Sequence, residues 1–159
     1  MNNNDVLIRL RYALDLKNAE MVEIFKLGDC EVAIQDISLL LSKSDDEYLE
    51  CTNAMLDSFL NGLIIFKRGK QEPKPGQPKR QPLPVLNDEN VNNIILKKLR
   101  IALTLTSDDM IEILEDAGIR ISKSELSAVL RREDHRNYNV CGDRYVRNFL
   151  KGLTIKYRG

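Results

Sequence analysis

The chain is written twice, and that fact limits its fold more than any other. Leu10-Arg11-Tyr12-Ala13-Leu14 is answered by Leu99-Arg100-Ile101-Ala102-Leu103, and Phe59-Leu60-Asn61-Gly62-Leu63 by Phe149-Leu150-Lys151-Gly152-Leu153. Residues 3–40 and their partners 89 positions later are identical at 12 of 38 sites, and 48–69 and their partners 90 positions later at 9 of 22. One residue is therefore inserted in the second copy, near Arg131 to His135. Shared periodicity does not yield so many identities, so this is an internal duplication. All five prolines (Pro73, Pro75, Pro78, Pro82 and Pro84) lie between the copies. The chain thus divides into repeat 1 over 1–69, a basic Pro-rich linker over 70–86, and repeat 2 over 87–159.

Apolar residues recur at helical spacing throughout both copies. In repeat 1 the stripes are Val6, Leu7, Leu10, Ala13 and Leu14; Met21, Ile24 and Phe25; Ile34, Ile37, Leu40 and Leu41; and Met55, Leu56, Phe59, Leu60, Leu63 and Ile64. Repeat 2 matches them with Ile95, Leu96, Leu99, Ala102 and Leu103; Met110, Ile113 and Leu114; and Leu126, Val129 and Leu130. Asn3, Asn4, Asp5 and Asn18 offer N-cap side chains, and Gly28 and Gly118 offer left-handed helix ends. Ser122 and Glu125 form a capping box, with Ile121 and Leu126 as its hydrophobic staple. The expected fold is all-α: two tandem bundles of four to five short helices.

Gly62 stands inside the last helix of repeat 1, and Gly152 repeats it. A mid-helix glycine costs about 1 kcal/mol against alanine. Accepting that twice predicts a second backbone crossing close by. Units of about 70 residues gain only a few kcal/mol from their own cores, so the halves are expected to pack together or the protein to dimerise.

The linker reads KQEPKPGQPKRQPLPVL, which predicts an extended spacer of polyproline character. Pro75 and Pro78 make a PxxP beside Lys74, Lys79 and Arg80, a loose match to peptides that aromatic grooves bind. Pro82 to Leu86 is more apolar and is expected to lie on the second half.

Charge and cysteine content narrow the setting. Net charge is +0, but residues 1–69 hold 7 Lys/Arg against 12 Asp/Glu, the linker 4 against 1, and 87–159 hold 13 against 11. That balance is no broad nucleic-acid footprint. No apolar run reaches the ~18 residues of a membrane span, and the start lacks a signal-peptide layout, so a cytoplasmic protein is expected. Cys30, Cys51 and Cys141 are odd in number and lack a zinc spacing, which fits reduced, buried thiols. Cys51 and Cys141 correspond between the copies, but a bridge between them is disfavoured in a reducing compartment.

Asp108 to Leu130 reads as helix, turn, helix. A DNA-binding use would employ Arg120, Lys123, Arg131, Arg132 and Arg136 on phosphates, with Ser124 and Ser127 outward. Against it, Leu126 and Val129 follow Gly118 about two residues late for a tight DNA-binding turn. Leu114 also fills a site usually kept small, and the matching helix of repeat 1 carries Glu31, Gln35 and Asp36. Catalysis has less to stand on. His135 has no partner in ligand or triad spacing, Asp45, Asp46, Asp108 and Asp109 sit where helix starts favour negative charge, and no phosphate loop or nucleophile elbow occurs. No enzyme activity, cofactor or metal is expected.

The paired pattern resembles the YehS-like family of bacterial proteins. The shared marks are the Asn-rich start at Asn2 to Asn4, Leu10 to Leu14, Glu23-Ile24-Phe25, Phe59 to Leu63 and the closing Arg68-Gly69, repeated after a Pro-rich linker. The resemblance covers essentially the whole chain and implies no chemistry. The expected function is a non-enzymatic protein-interaction adaptor or regulator with an unknown protein partner and a possible homodimer. The alternative is a nucleic-acid-binding regulator acting through the helix–turn–helix-like segment. Membrane attachment is not expected.

Overall fold

The computed structural model describes residues 1–44, 46–69 and 85–158. Asp45 of the acidic run and linker residues 70–84, with the PxxP, lie outside them. Among the described residues the regular structure is eight helices and no strand. They are α1 (Asn3–Ala13), α2 (Asn18–Leu27), α3 (Ile34–Leu40), α4 (Asn53–Arg68), α5 (Val91–Ala102), α6 (Ser107–Asp116), α7 (Lys123–Leu130) and α8 (Asp143–Arg158). Each copy supplies four.

The stripes fold inward largely as their spacing predicts. Leu7, Leu10, Met21, Phe25, Phe59 and Leu60 and their counterparts Leu96, Leu99, Met110, Leu114, Phe149 and Leu150 are all buried in one continuous core. Phe25 and Phe59 pack ring to ring, centroids 5.1 Å apart. Ile34 departs from the prediction: it opens α3 and is 56% exposed, so only Ile37 and Leu40 anchor that short helix. Leu86 is buried at the end of the linker, whereas Val85 beside it is 72% exposed.

Three local assignments differ from the sequence reading. Asn2, not Asn3 or Asn4, caps α1: its side chain accepts the Asp5 N–H at 2.8 Å, and Asp5 accepts the Asn2 N–H at 3.1 Å. Asn18 is the first residue of α2 rather than its cap, and Glu20 accepts the Lys17 N–H at 3.0 Å. Gly28 has φ −90°, so the left-handed residue ending α2 is Asp29 at φ 65°. Gly28 is small for another reason: a Cβ there would lie 1.8 Å from the Ser58 carbonyl oxygen of α4.

The left-handed ends are themselves duplicated. Asp15 (φ 51°) and Thr104 (φ 54°) follow α1 and α5, while Asp29 and Gly118 (φ 89°) follow α2 and α6. Only Gly118 adopts this conformation freely. Thr104 is β-branched and strained there by about 1–2 kcal/mol. Thr104→Gly is therefore expected to raise the thermal midpoint by about 3 °C, a gain of about 1 kcal/mol. An unchanged or lower melting temperature would show that the strain is relieved elsewhere.

The two asparagines freed from capping clamp the chain instead. The buried Asn4 donates to the carbonyls of Leu40 (3.1 Å) and Leu49 (2.7 Å) and accepts the Cys51 N–H at 2.9 Å. Asn93 does the same with Val129 (2.9 Å), Asn139 (2.8 Å) and Cys141 (2.9 Å). Each clamp satisfies one carbonyl of the third helix and two backbone groups of the irregular segment that follows it, and each buried group left unpaired would cost about 1–3 kcal/mol. Asn3 and Asn92 tie the same segment to the last helix through Cys51 and Asn53, and through Cys141 and Asp143. The inserted residue of repeat 2 is absorbed between the two anchors of its clamp.

The glycine crossings are as predicted. A Cβ on Gly62 would fall 1.8 Å from the Ile24 carbonyl oxygen of α2, and one on Gly152 would fall 2.2 Å from the Ile113 carbonyl oxygen of α6. The second helix of each copy thus lies directly on the last.

The halves pack against each other by exchanging partners. The first helix of each copy packs mainly on the last helix of the other, α1 on α8 and α5 on α4, and only slightly on its own. These pairs run parallel. The Met1 amino group meets Asp143 at one end of α1–α8 (3.4 Å), and Asp15 meets Arg158 at the other (2.7 Å). Across α4–α5, Lys98 pairs with Asp57, the lysine 1% and the aspartate 14% exposed.

Candidate interaction surfaces

The helix–turn–helix-like segment is present as α6, a turn at Gly118, and α7 capped by Ser122, whose hydroxyl accepts the Glu125 N–H at 3.1 Å. Glu125 meets that hydroxyl rather than the cap backbone, and Ile121 and Leu126 are both buried. Three of the five cations have partners within the segment. Lys123 is paired with Asp108 at 3.2 Å and Arg132 with Asp134 at 3.4 Å. Arg131 lies 3.4 Å from both ring nitrogens of His135. Arg120 is exposed in a shallow groove shared with Glu115, Ser122 and Glu125, and Arg136 is exposed in the following loop. Exposed pairs contribute little stability, but they leave less positive charge for phosphates. One basic contact crosses elements: partial burial, then Arg132 and Arg100, pull the Lys97 ammonium below its usual range.

Several groups with chemical potential serve the fold. Cys30, Cys51 and Cys141 are free thiols. Burial pushes Cys51 and Cys141 up to about 12, so at neutral pH they stay protonated and poorly nucleophilic. Asp109 accepts the Thr106 N–H at 2.8 Å, and its bonds to Thr106 hold its carboxyl below the usual range. His135 accepts from the Asn137 N–H at 3.0 Å within its own exposed turn. Among the described residues no cluster of three or more His, Cys, Asp or Glu could hold a metal ion, and no helix is long and apolar enough to cross a membrane.

The most distinctive surface lies where the sequence reading did not look, on the outer flank of α1 and α8. Arg144, Arg147, Lys151 and Arg158 recur at intervals of three, four and seven, which puts them on one face of α8, and all four are exposed. The helix holds five cations and one carboxylate, so +4. That carboxylate, Asp143, is engaged by Asn92 at 2.8 Å and by the Met1 amino group, and the Asn92 bond first among these holds it below its usual range. The equivalent helix α4 has two cations and one carboxylate, so +1. Beside the strip, α1 contributes the exposed Arg9, and Tyr12, 54% exposed, carries the Arg158 guanidinium 4.5 Å from its ring centre. A groove of about 440 Å³ between Ile8, Arg9, Tyr12, Lys43 and Thr154 continues the flank. The cation spacing is legible in the sequence, but which face of α8 stays outside is set by the helices packed on it.

These features define an all-α protein built from a fused tandem duplication. The chain belongs to the family described as "Protein of unknown function (DUF1456)", whose pattern matches residues 3–69 and 92–159. It is similar to the protein described as "Uncharacterized protein YehS" from Escherichia coli (strain K12), with 42% identity over 158 residues, 98% of this chain and 96% of that protein. The resemblance to YehS-like proteins is thereby established. No solved structure matches the chain.

Proposed function

We propose that the protein is a non-enzymatic cytoplasmic adaptor or regulator that works by binding. One observation carries this reading: the copies keep the same internal devices, while the outer faces of their last helices differ in charge. The asparagine clamps, the crossing glycines and the cysteines that accept no role beyond packing recur in both halves. The outer faces of α4 and α8 have diverged in charge. A duplicated scaffold that keeps its core and redecorates one flank is suited to partner recognition. The rival reading, nucleic acid held by α6–α7 through Arg120, Lys123, Arg131, Arg132 and Arg136, draws support from the crowding of Arg132 on Lys97. It loses support from the paired Lys123 and Arg132.

The test places a photo-crosslinking residue, one at a time, at the exposed positions Tyr12, Tyr48, Val140 and Ile155 of the full chain in its native cell. The binding reading expects a discrete adduct confined to one face. Absence of any adduct at all four positions would overturn it.

A further inference from the structure

We infer that the flank formed by α1 and α8 is a binding track for single-stranded nucleic acid. The inference rests on the binding reading above and names the partner class for one face.

The four cations of α8 span 14 residues, about 21 Å of helix. A stacked strand advances about 3.4 Å per nucleotide, so the strip matches roughly six nucleotides. The strip is a row of point charges and forks along one straight line, as a phosphate backbone requires. An aromatic face stands with it. Tyr12 is 54% exposed and already carries a guanidinium on its ring. An exposed ring beside a row of cations suits a base with its π-face and charged phosphates together. An acidic peptide would use the cations and leave the ring idle.

The duplication supplies an independent argument. Position 98 of α5 corresponds to position 9 of α1, and position 57 of α4 to position 147 of α8. On one side of the molecule these positions hold the buried, mutually neutralised Lys98 and Asp57. On the other they hold two exposed arginines, Arg9 and Arg147. Exposed like charges on the packed helices α1 and α8 oppose each other only weakly, unlike the opposite-charged pair buried at the matching place. An anion lying across Arg9 and Arg147 removes that opposition. Likewise Lys151 replaces Asn61 and Arg144 replaces Ala54, so three of the four strip positions changed toward positive charge.

The experiment is fluorescence anisotropy on the full chain, with labelled 12-nucleotide single strands of DNA and RNA, the matching duplex, and a peptide of twelve glutamates. The track expects single strands to bind most tightly. Arg158 is paired with Asp15 at 2.7 Å, so three phosphates are counted, and the affinity should fall about 20-fold between 50 and 200 mM salt. The double variant Arg147→Ala/Lys151→Ala should weaken binding at least about 10-fold and lower the salt slope. Tyr12→Leu should weaken it about 10-fold with the slope retained. Arg131→Ala/Arg132→Ala should leave it unchanged. Arg147 and Lys151 are exposed, and the glutamine versions Arg147→Gln/Lys151→Gln serve if the alanine variant melts early. No binding at 20 mM salt overturns the track, as does equal or tighter binding of the duplex or peptide. So does a loss that follows Arg131 and Arg132 rather than Arg147 and Lys151. If a protein adduct forms at any of the four positions while no oligonucleotide binds, the track falls and the adaptor reading stands. If neither occurs, both fall.

Discussion

Gly62→Ala is expected to destabilise the protein by about 3 kcal/mol or more and to lower the thermal midpoint by about 10 °C. On propensity alone the change would help, because alanine gains about 1 kcal/mol over glycine inside a helix. The sign reverses because the new methyl would stand 1.8 Å from the Ile24 carbonyl oxygen, a backbone atom that cannot rotate away. Relief requires sliding α2 along α4, and the same helix is held a turn further on by Gly28 against Ser58. Gly152→Ala should act in the same direction in the second copy, where the new atom meets Ile113 at 2.2 Å. Gly142→Ala, with nothing within 4 Å of the added carbon, is the control and should shift stability by less than about 0.5 kcal/mol. Denaturant melts of the three variants decide the matter. A neutral or stabilising Gly62→Ala would mean that the α2–α4 crossing is looser than described.

Removing one member of the buried pair should have a comparable effect on the junction of the repeats. Asp57→Ala leaves the Lys98 ammonium, 1% exposed, without its carboxylate between α4 and α5, at an expected cost of about 3–5 kcal/mol. The double variant Asp57→Leu/Lys98→Met should recover most or all of that loss, since well-packed apolar residues often replace a buried ion pair without penalty. A single variant that melts within about 2 °C of the parent would show that water reaches the lysine. The same pair of substitutions at Arg9 and Arg147, both exposed, should change the melting temperature little. The difference between the two sides separates a structural contact from a surface one.

Several elements were readable from residues alone for a definite reason. The stripes through Leu10, Phe25 and Phe59 are periodic, and periodicity is a local property. The cost of Gly62 is likewise local, so its repetition at Gly152 was enough to expect a crossing backbone. Caps were harder to read, because Asn2, Asn3, Asn4 and Asp5 can all serve. What decided among them was a distant segment: Asn4 is drawn inward by Leu40, Leu49 and Cys51, and only Asn2 is left to cap. Gly28 misled for the same reason. It looked like a helix end, whereas its lack of a side chain answers a neighbour thirty residues away, Ser58.

By itself the sequence determined the duplication, the helical class, the positions of the stripes and the places where backbones must approach closely. It could not determine which stripe meets which. The first helix of each copy has equivalent apolar faces on offer from two last helices, its own and the other copy's, and local pattern does not distinguish them. The tertiary structure chose the exchange, α1 with α8 and α5 with α4. That choice buried Lys98 against Asp57 and left Arg9 and Arg147 outside. The charge of a side chain is written in the sequence, but whether it faces a partner or water is set by the helix laid beside it.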